Sequence, residues 1–253
     1  MASKRQAIQR REELVEGEDV KHQHQPVSNS LRIKLDHLRT FEPLTDNQAK
    51  FFEMYKGGGY FIGLFGSPGT GKTFLSLYRA IEEVLSKDNP FKQVVIVRSL
   101  VQTRDVGFLP GNIEEKQEIY EMPYKEICHT LFGRPDAWDR LKEQQCARFI
   151  STTAIRGISI DDSIIIFDEC QNANWGEVNT VMSRVGHRSK IIFAGDYKQS
   201  DLTKSNKDVS AFNDFRRVAS DMKAFQEVYF TPDDIVRSSL VKDWIMSCER
   251  NGY

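Results

Sequence analysis

The chain has little of what marks membrane, secreted or zinc-binding proteins. None of its apolar runs approaches the length of a membrane span, and its polar first residues lack the apolar stretch of a signal peptide. Its four cysteines, at positions 128, 146, 170 and 248, form no CxxC pair with a fitting histidine pattern. We therefore expect no membrane partner, a cytoplasmic location and free thiols in a reducing compartment.

A strong net charge is also lacking. The 253 residues carry 35 Lys and Arg against 36 Asp and Glu, a formal net charge of −1, which excludes a strongly basic nucleic-acid coat protein. Residues 184–207 hold six Lys or Arg against two Asp, a local charge of +4. This stretch is the best local candidate for contact with a phosphate backbone, and a solvated charged surface explains it equally well.

Aromatic residues are missing from residues 1–30, where five basic residues balance five acidic ones. Such a segment buries too little apolar surface to be ordered alone, so we predict a weakly ordered polar tail, with a partner-binding tail as the alternative. Residues 31–253 are long enough for one domain with a full core, in a chain that is 40% hydrophobic.

What the chain does contain is the glycine-rich run Gly66-Ser67-Pro68-Gly69-Thr70-Gly71-Lys72-Thr73, which fits G-x-x-x-x-G-K-[ST]. The glycines let the backbone turn tightly and direct N–H groups at phosphate oxygens. A helix that begins near Lys72 adds its positive dipole end, Lys72 reaches the β- and γ-phosphates, and the Thr73 hydroxyl is placed for Mg²⁺. The run predicts a site for a nucleoside triphosphate with Mg²⁺.

The neighbours of this run agree with it. The apolar residues 60–65 before it predict a buried parallel strand, and apolar positions between 74 and 85 recur at helical spacing. Strand, glycine loop and helix is the order that a phosphate loop requires, and it makes an ordinary Gly-Pro turn the weaker interpretation. Further strands, with helices between them, indicate an α/β fold with a mostly parallel sheet. These strands are predicted at 94–97, 149–152, 164–167, 190–195 and 227–230.

A second run places four apolar residues, 164–167, directly before Asp168 and Glu169. Core strands rarely end in carboxylates, because an unpaired buried charge is costly. Beside a phosphate loop, Asp168 can hold the Mg²⁺ shell and Glu169 can orient and deprotonate the attacking water. Thr73 and Asp168 are therefore the predicted metal residues, and a strand that ends in a solvated acidic turn is the alternative.

Three further polar residues have two interpretations each. Thr45 fits a helix N-cap with Gln48 as its capping-box partner, while the planar amide of Gln48 also matches the N6 and N7 edge of adenine. Asp196 and Gln199 follow the strand at 190–195, and they suit either γ-phosphate sensing or capping of the next helix. The spacing alone does not decide between these roles.

Two local predictions are less firmly tied to the motifs. Alternating apolar residues predict a short strand over 31–35. Residues 112–147 are expected to be helical, with breaks near Pro123 and at 133–135, because proline removes a helical hydrogen bond.

Together these motifs resemble the PhoH-like proteins, which are P-loop ATPases related to the first motor domain of superfamily-one helicases. The resemblance covers about Leu31 to the C-terminus and includes the glycine-rich run, which is generic to many NTPases. The other matching runs are Thr45-Asp46-Asn47-Gln48, Gly107-Phe108-Leu109-Pro110-Gly111, Ile155-Arg156-Gly157, Asp168-Glu169-Cys170-Gln171-Asn172 and Gly195-Asp196-Tyr197-Lys198-Gln199. The runs G-F-L-P-G, D-E-x-Q-N and G-D-x-x-Q, in this order, are much more specific.

The chain departs from this family at Arg98-Ser99, where members usually have Arg-Pro. Its short length and polar N-terminal segment are similar to those of phage-borne members.

The resemblance implies a single RecA-like domain that binds and hydrolyses ATP with Mg²⁺. It also implies helicase-like action on RNA or single-stranded nucleic acid and assembly into hexameric rings. Gln48 would read adenine, and Gln171 and Gln199 would couple nucleotide state to bound nucleic acid. The candidate nucleotide-binding residues are Gln48, Gly66, Ser67, Pro68, Gly69, Thr70, Gly71, Lys72, Thr73 and Phe74.

An arginine near the developing charge speeds phosphoryl transfer, and a single motor domain has no second domain to supply it. A neighbouring subunit is therefore expected to provide this arginine finger. Arg98 leaves a strand end beside the loop and is expected to act within its own subunit. Arg237, near the start of a closing helix predicted from Thr231-Pro232, is the first candidate for the finger, and Arg156 is the second. The predicted catalytic residues are Lys72, Asp168, Glu169, Gln199, Arg237 and Arg156.

Two other functions fit a P-loop core. One is a small-molecule or nucleotide kinase, against which Asp168-Glu169 favours activation of water. The other is a slow, nucleotide-gated scaffold. A GTPase is disfavoured, because Asn206-Lys207-Asp208 lacks the spacer residue of a guanine-reading N-K-x-D.

Overall fold

The computed structural model describes residues 32–100, 113–196 and 209–251, and the elements below refer to these residues. The strands are β1 (Phe61–Gly66), β2 (Gln93–Arg98), β3 (Ala147–Ser151), β4 (Ser163–Asp168), β5 (Lys190–Gly195) and β6 (Phe225–Phe230). The helices are α1 (Asp46–Lys56), α2 (Lys72–Leu85), α3 (Ile113–Phe132), α4 (Ala137–Glu143), α5 (Trp175–Met182), α6 (Val209–Ser220) and α7 (Ser239–Arg250).

The strands form one parallel sheet in the order β3-β2-β4-β5-β1-β6. One strand, β5, separates β1, which leads into the glycine loop, from β4, which ends in Asp168. Because all strands run the same way, their carboxyl ends lie at one edge, where open α/β sheets bind ligands. The predicted fold class, a single α/β domain with a RecA-like parallel sheet flanked by helices, is confirmed.

Alternate side chains of the strands fill two separate cores. In β2, Val94 and Ile96 belong to the cluster under α1, α2, α3 and α4, whereas Val95 and Val97 belong to the cluster under α5 and α6. All four side chains are fully buried. A sheet covered on both faces needs apolar side chains at successive positions, and this is why its strands appear in the sequence as continuous apolar runs.

Helix α3 runs through Pro123, so the predicted break there is wrong, while the predicted break at 133–135 separates α3 from α4. A proline inside a helix costs about 3 kcal/mol. Tyr124, Cys128 and Leu131, at helical spacing on one face of α3, are fully buried. Burial of each large apolar side chain contributes about 1.5–3 kcal/mol, so packing of this face outweighs the lost hydrogen bond.

The predicted strand at 31–35 is wrong over the part that the structure describes, where Leu35–His37 forms a short 3-10 helix.

Thr231 caps another 3-10 helix, Pro232–Asp234, and not the closing helix, which starts at Ser239. The apolar residues of α7 are not core residues either, since Leu240 is 78% and Trp244 70% exposed. Spacing predicts that a helix has an apolar face, but not that anything covers it.

No helix among the residues described has both the length and the apolar character needed to cross a membrane.

Candidate nucleotide-binding site

The glycine loop leaves the sheet at Gly66, the last residue of β1, whose φ is +124°. A Cβ at this position would overlap the carbonyl oxygen of Phe230 at the end of β6. The same oxygen accepts a hydrogen bond of 3.0 Å from the Ser67 N–H. Only glycine allows both the positive φ and this close approach, so Gly66 fixes where the loop begins.

Lys72 is the first residue of α2, and its side chain turns back into the loop. Its Nζ donates to the carbonyl oxygens of Gly66 (3.0 Å) and Ser67 (2.8 Å). Burial lowers the pKa of Lys72, and the carboxylates of Asp196, Glu169 and Asp168 act in the opposite direction. The ammonium is thus held at the carboxyl edge of the sheet, which is the position the sequence predicts for a contact with phosphates.

Thr73 and Asp168 meet, although they are 95 residues apart in the chain. The Thr73 Oγ1 donates to the Asp168 Oδ1 at 2.8 Å, and Asp168 is buried. Mg²⁺ is usually held by one or two carboxylates together with hydroxyl, phosphate and water oxygens, and not by an all-protein cage. The pair fits that requirement, so Thr73 and Asp168 would hold the ion.

Asp168 has a second partner that no motif indicated. The Tyr124 hydroxyl, on α3, donates to the Asp168 Oδ2 at 2.9 Å. Burial and the neighbouring Glu169 raise the pKa of Asp168, while the hydrogen bonds from Thr73 and Tyr124 and the charge of Arg98 oppose that rise. Tyr124 could be recognised in the sequence only as a core position of α3.

Glu169 follows β4 with a positive φ of +50° and is partly exposed. Its Oε2 accepts from the Gln171 Nε2 at 2.6 Å, and the Gln171 Oε1 accepts from the Asp196 N–H at 3.0 Å. One amide therefore joins the carboxyl ends of β4 and β5. Glu169 lies directly after β4, and its role as the base for water attack stays a prediction.

Gln48 is buried at the start of α1 and contacts the loop. Its Nε2 donates to the Thr70 carbonyl oxygen (3.1 Å), and its Oε1 accepts from the Leu44 N–H (2.8 Å). The Thr45 Oγ1 caps α1 by accepting from the Gln48 N–H. Gln48 does not return the bond to the Thr45 N–H, so the capping-box interpretation is wrong. Its role in reading adenine stays a prediction.

The other predicted loop residues differ in what their side chains do. The Thr70 hydroxyl is buried and donates to the Ser67 carbonyl oxygen at 3.0 Å, which braces the loop internally. The Phe74 ring packs against Phe41, with 5.0 Å between ring centroids, so its side chain belongs to the aromatic core beside α2. Pro68 and Gly69 are partly exposed.

Helix α7 and the turn before it cover one side of the loop. The Val236 N–H donates to the Gly69 carbonyl oxygen (3.1 Å), and the Ser67 hydroxyl donates to the Glu249 Oε1 (3.0 Å). A Cβ at Gly69, whose φ is +72°, would lie 3.0 Å from the Arg237 Cγ and 3.6 Å from the Ile245 Cδ1. Gly69 therefore gives this segment the room to approach the loop.

These contacts place Arg237 against the loop of its own chain. Arg237 is exposed there, and its role as a finger for a neighbouring subunit's nucleotide stays a prediction. Its helix begins after a turn that returns the chain to Gly69. Arg156 is exposed on the turn that follows β3, at the same edge of the sheet. Gln199 and the run 107–111 lie outside the described residues.

The predicted basic stretch at 184–207 is not one surface in the part that the structure describes. Lys190 is buried, with its Nζ 2.8 Å from the Glu83 Oε2 and 3.8 Å from the centroid of the Tyr55 ring. Arg188 is paired with Asp162. Lys190 is the first residue of β5, so it lies at the amino edge of the sheet, opposite the loop. The lysines at 198, 204 and 207 lie outside the described residues.

A glycine loop between β1 and α2, facing a carboxylate at the end of β4, defines the class of P-loop NTPase folds. Comparison with known proteins agrees with this class and identifies one family within it. The profile of the family described as "PhoH-like protein" matches residues 40–249. The chain belongs to the PhoH-like protein family.

Relatives with curated descriptions have the same name. The chain is 29% identical over 198 residues to the PhoH-like protein of Bacillus subtilis (strain 168), covering 78% of this chain and 60% of the relative. It is 29% identical over 177 residues to Protein PhoH of Escherichia coli (strain K12), covering 69% and 49%. The chain thus spans about half to three-fifths of the length of these relatives.

Among solved structures, the helicase domain of Pyrococcus furiosus Hef is similar at a TM-score of 0.45 and 13% identity, over 74% of this chain and 39% of that one. That likeness is too distant to add to the argument.

Proposed function

We propose that this protein hydrolyses ATP in a Mg²⁺-dependent reaction and couples the hydrolysis to RNA or single-stranded nucleic acid as a ring of identical subunits. The observation that carries the ATPase proposal is the contact between the Thr73 hydroxyl and the Asp168 carboxylate, 2.8 Å apart, beside Lys72. It brings the two motifs that the chemistry needs into one site.

The side chains of the site have separable roles. Lys72 supplies a positive charge for the β- and γ-phosphates, and Thr73 and Asp168 offer oxygen ligands for Mg²⁺, which when bound neutralises phosphate charge. Glu169 accepts the proton of the attacking water. Gln171 holds Glu169 and the Asp196 N–H together, so a movement at the end of β5 would change the position of the base.

Arg237 and Arg98 supply the positive charge near the transferred group in this proposal. Burial alone would lower the pKa of Arg98, and Tyr124, Asp168 and Glu169 raise it overall, so Arg98 remains a cation at the end of β2. Arg237 lies beside Gly69, on the other side of the loop. Both are available within one chain.

Nucleic acid is proposed to lie across the carboxyl edge of the sheet. Arg156 is exposed on the turn after β3 at this edge, whereas Lys190 and Arg188 are engaged at the opposite edge. Contacts with phosphates make affinity fall with salt. We expect Arg156→Ala to weaken binding of single-stranded RNA and to reduce its salt dependence. Arg217→Ala, a change of an exposed arginine on α6, is the matched control.

The decisive experiment is the ATPase rate of the full chain with no addition, with single-stranded RNA, with single-stranded DNA and with duplex. We expect equal amounts of ADP and phosphate, no phosphorylated acceptor and stimulation by single strands. Lys72→Ala should remove nucleotide binding, because it removes the charge at the centre of the loop. If the protein hydrolyses ATP at a rate that no nucleic acid changes, the ATPase proposal stands and the proposed coupling to nucleic acid is contradicted. Tight binding without turnover would favour the nucleotide-gated scaffold.

The ring is tested by sedimentation with and without nucleotide. Leu240 and Trp244 on α7 present apolar surface that a neighbouring subunit would remove from water. A monomer under all conditions would contradict the ring while leaving the ATPase proposal intact.

A further inference from the structure

We infer that Tyr124 is a positioning residue for the metal-binding carboxylate, and that it acts through Asp168. This inference rests on the proposed function, because it concerns how the same site holds Mg²⁺. Tyr124 belongs to none of the motifs of the chain, and it comes from α3, 44 residues before Asp168.

The two oxygens of Asp168 are held from opposite sides. The Thr73 hydroxyl, on the helix that follows the loop, donates to Oδ1 at 2.8 Å. The Tyr124 hydroxyl donates to Oδ2 at 2.9 Å. A carboxylate with one such partner can rotate about its Cβ–Cγ bond, whereas two fixed donors leave it a single orientation. Tyr124 and Thr73 together therefore fix the plane of the carboxylate, and with it the directions in which its oxygens face the loop.

Tyr124 is itself held rigidly. It is fully buried, and its ring contacts Trp138 of α4 and Phe149 of β3, at centroid distances of 6.0 and 5.9 Å. One turn earlier on α3, the Tyr120 ring lies 5.8 Å from the guanidinium carbon of Arg98, measured to the ring centroid. A buried phenol normally finds a hydrogen-bond partner, and the Tyr124 hydroxyl has Asp168 as its acceptor and interacts with the Arg98 guanidinium as well.

Removal of the Tyr124 hydroxyl should disturb the orientation of the Asp168 carboxylate and leave the packing of the ring intact. Without the hydroxyl, Oδ2 of a buried carboxylate loses its donor, and the carboxylate turns to find another. The pair of oxygens offered to Mg²⁺ is then no longer fixed. Residues that orient metal ligands typically change metal affinity by about 10- to 100-fold when they are removed.

The test uses the full chain and Tyr124→Phe, which keeps the packed ring and removes only the hydroxyl. Binding of a fluorescent ATP analogue is titrated with Mg²⁺ and repeated in EDTA. We expect the half-saturating Mg²⁺ concentration to rise about 10- to 100-fold, while affinity in EDTA does not change. Tyr120→Phe is the matched control, since it loses a hydroxyl one turn away on α3 with no bond to Asp168, and it should behave as the wild type.

A double-variant cycle separates positioning from general destabilisation. Because Tyr124 acts through Asp168, Tyr124→Phe should have no further effect on Mg²⁺ dependence when it is added to Asp168→Asn. Wild-type Mg²⁺ dependence in Tyr124→Phe would overturn the inference, as would an equal loss of affinity with Mg²⁺ and in EDTA. Absence of any nucleotide binding by the wild type would instead overturn the proposed function itself.

Discussion

Replacement of Glu169 by glutamine tests the proposed chemistry most directly. The change keeps the size of the side chain and removes its ability to take a proton. Gln171 donates to Glu169 Oε2, and an amide oxygen can accept the same bond, although more weakly than a carboxylate, so the bridge to the Asp196 N–H should survive. The expected effect is therefore on the reaction and not on the fold.

The expected loss of rate follows from the role of Glu169 as a general base. General base catalysis contributes about 10²- to 10⁴-fold, which at about 1.36 kcal/mol for each tenfold is about 2.7–5.4 kcal/mol in the barrier. Affinity for ATP should be unchanged or slightly higher, because one negative charge near the phosphates is lost. Glu169 is one of the carboxylates that oppose the lowering of the Lys72 pKa by burial.

The assay pairs single-turnover hydrolysis with equilibrium binding of a fluorescent ATP analogue. Glu126→Gln, the same substitution at an exposed position of α3, is the control and should leave both measurements unchanged. A Glu169→Gln protein that hydrolyses ATP at the wild-type rate would refute the assignment of the base. A parallel loss of affinity and rate would show that Glu169 supports binding instead.

Two further predictions concern Gly66, where the loop begins, and Arg237, which lies beside it. Gly66→Ala should lower the free energy of unfolding, measured in urea, by more than the about 1–2 kcal/mol expected for Gly58→Ala, because both positions have positive φ but only Gly66 also meets the Phe230 carbonyl. Equal losses would show that the close approach at Gly66 is unimportant. Arg237→Ala should lower kcat by about 10³-fold with little change in ATP affinity. If Arg237, which lies beside Gly69, acts on the nucleotide of its own chain, mixing this variant with Lys72→Ala should restore no activity, and recovery in mixed oligomers would contradict the own-chain role.

The sheet and the loop could be predicted because their causes are local in sequence. The strands that enter a doubly covered sheet are continuous apolar runs, and the phosphate loop needs glycines at fixed spacing. The contact of Thr73 with Asp168 followed from the same reasoning, because the loop after β1 and the end of β4 lie at the same edge of a parallel sheet. These features depend on periodicity and on a motif, and both are visible in one sequence.

The residues that sequence reasoning placed wrongly depend on contacts distant along the chain. The helix passes through Pro123 because buried neighbours on α3 outweigh the missing hydrogen bond. Lys190 looked like part of a basic surface, but it is buried because Glu83 and Tyr55 receive its ammonium. Tyr124 belongs to no motif, and its hydrogen bond to Asp168 forms only once its ring packs against Trp138 of α4 and Phe149 of β3.

The contact of α7 with the loop has a consequence for observing the protein at work. None of the side chains of α7 is buried, and its terminal part touches the loop through Ile245 and Glu249. The helix should therefore move when the loop changes shape, because a hydrogen bond joins the two. Trp244 lies on that helix with 70% of its surface exposed in one chain, so the part of the tryptophan emission that is lost in Trp244→Phe would report movement of the loop or burial by a neighbouring subunit without an added dye.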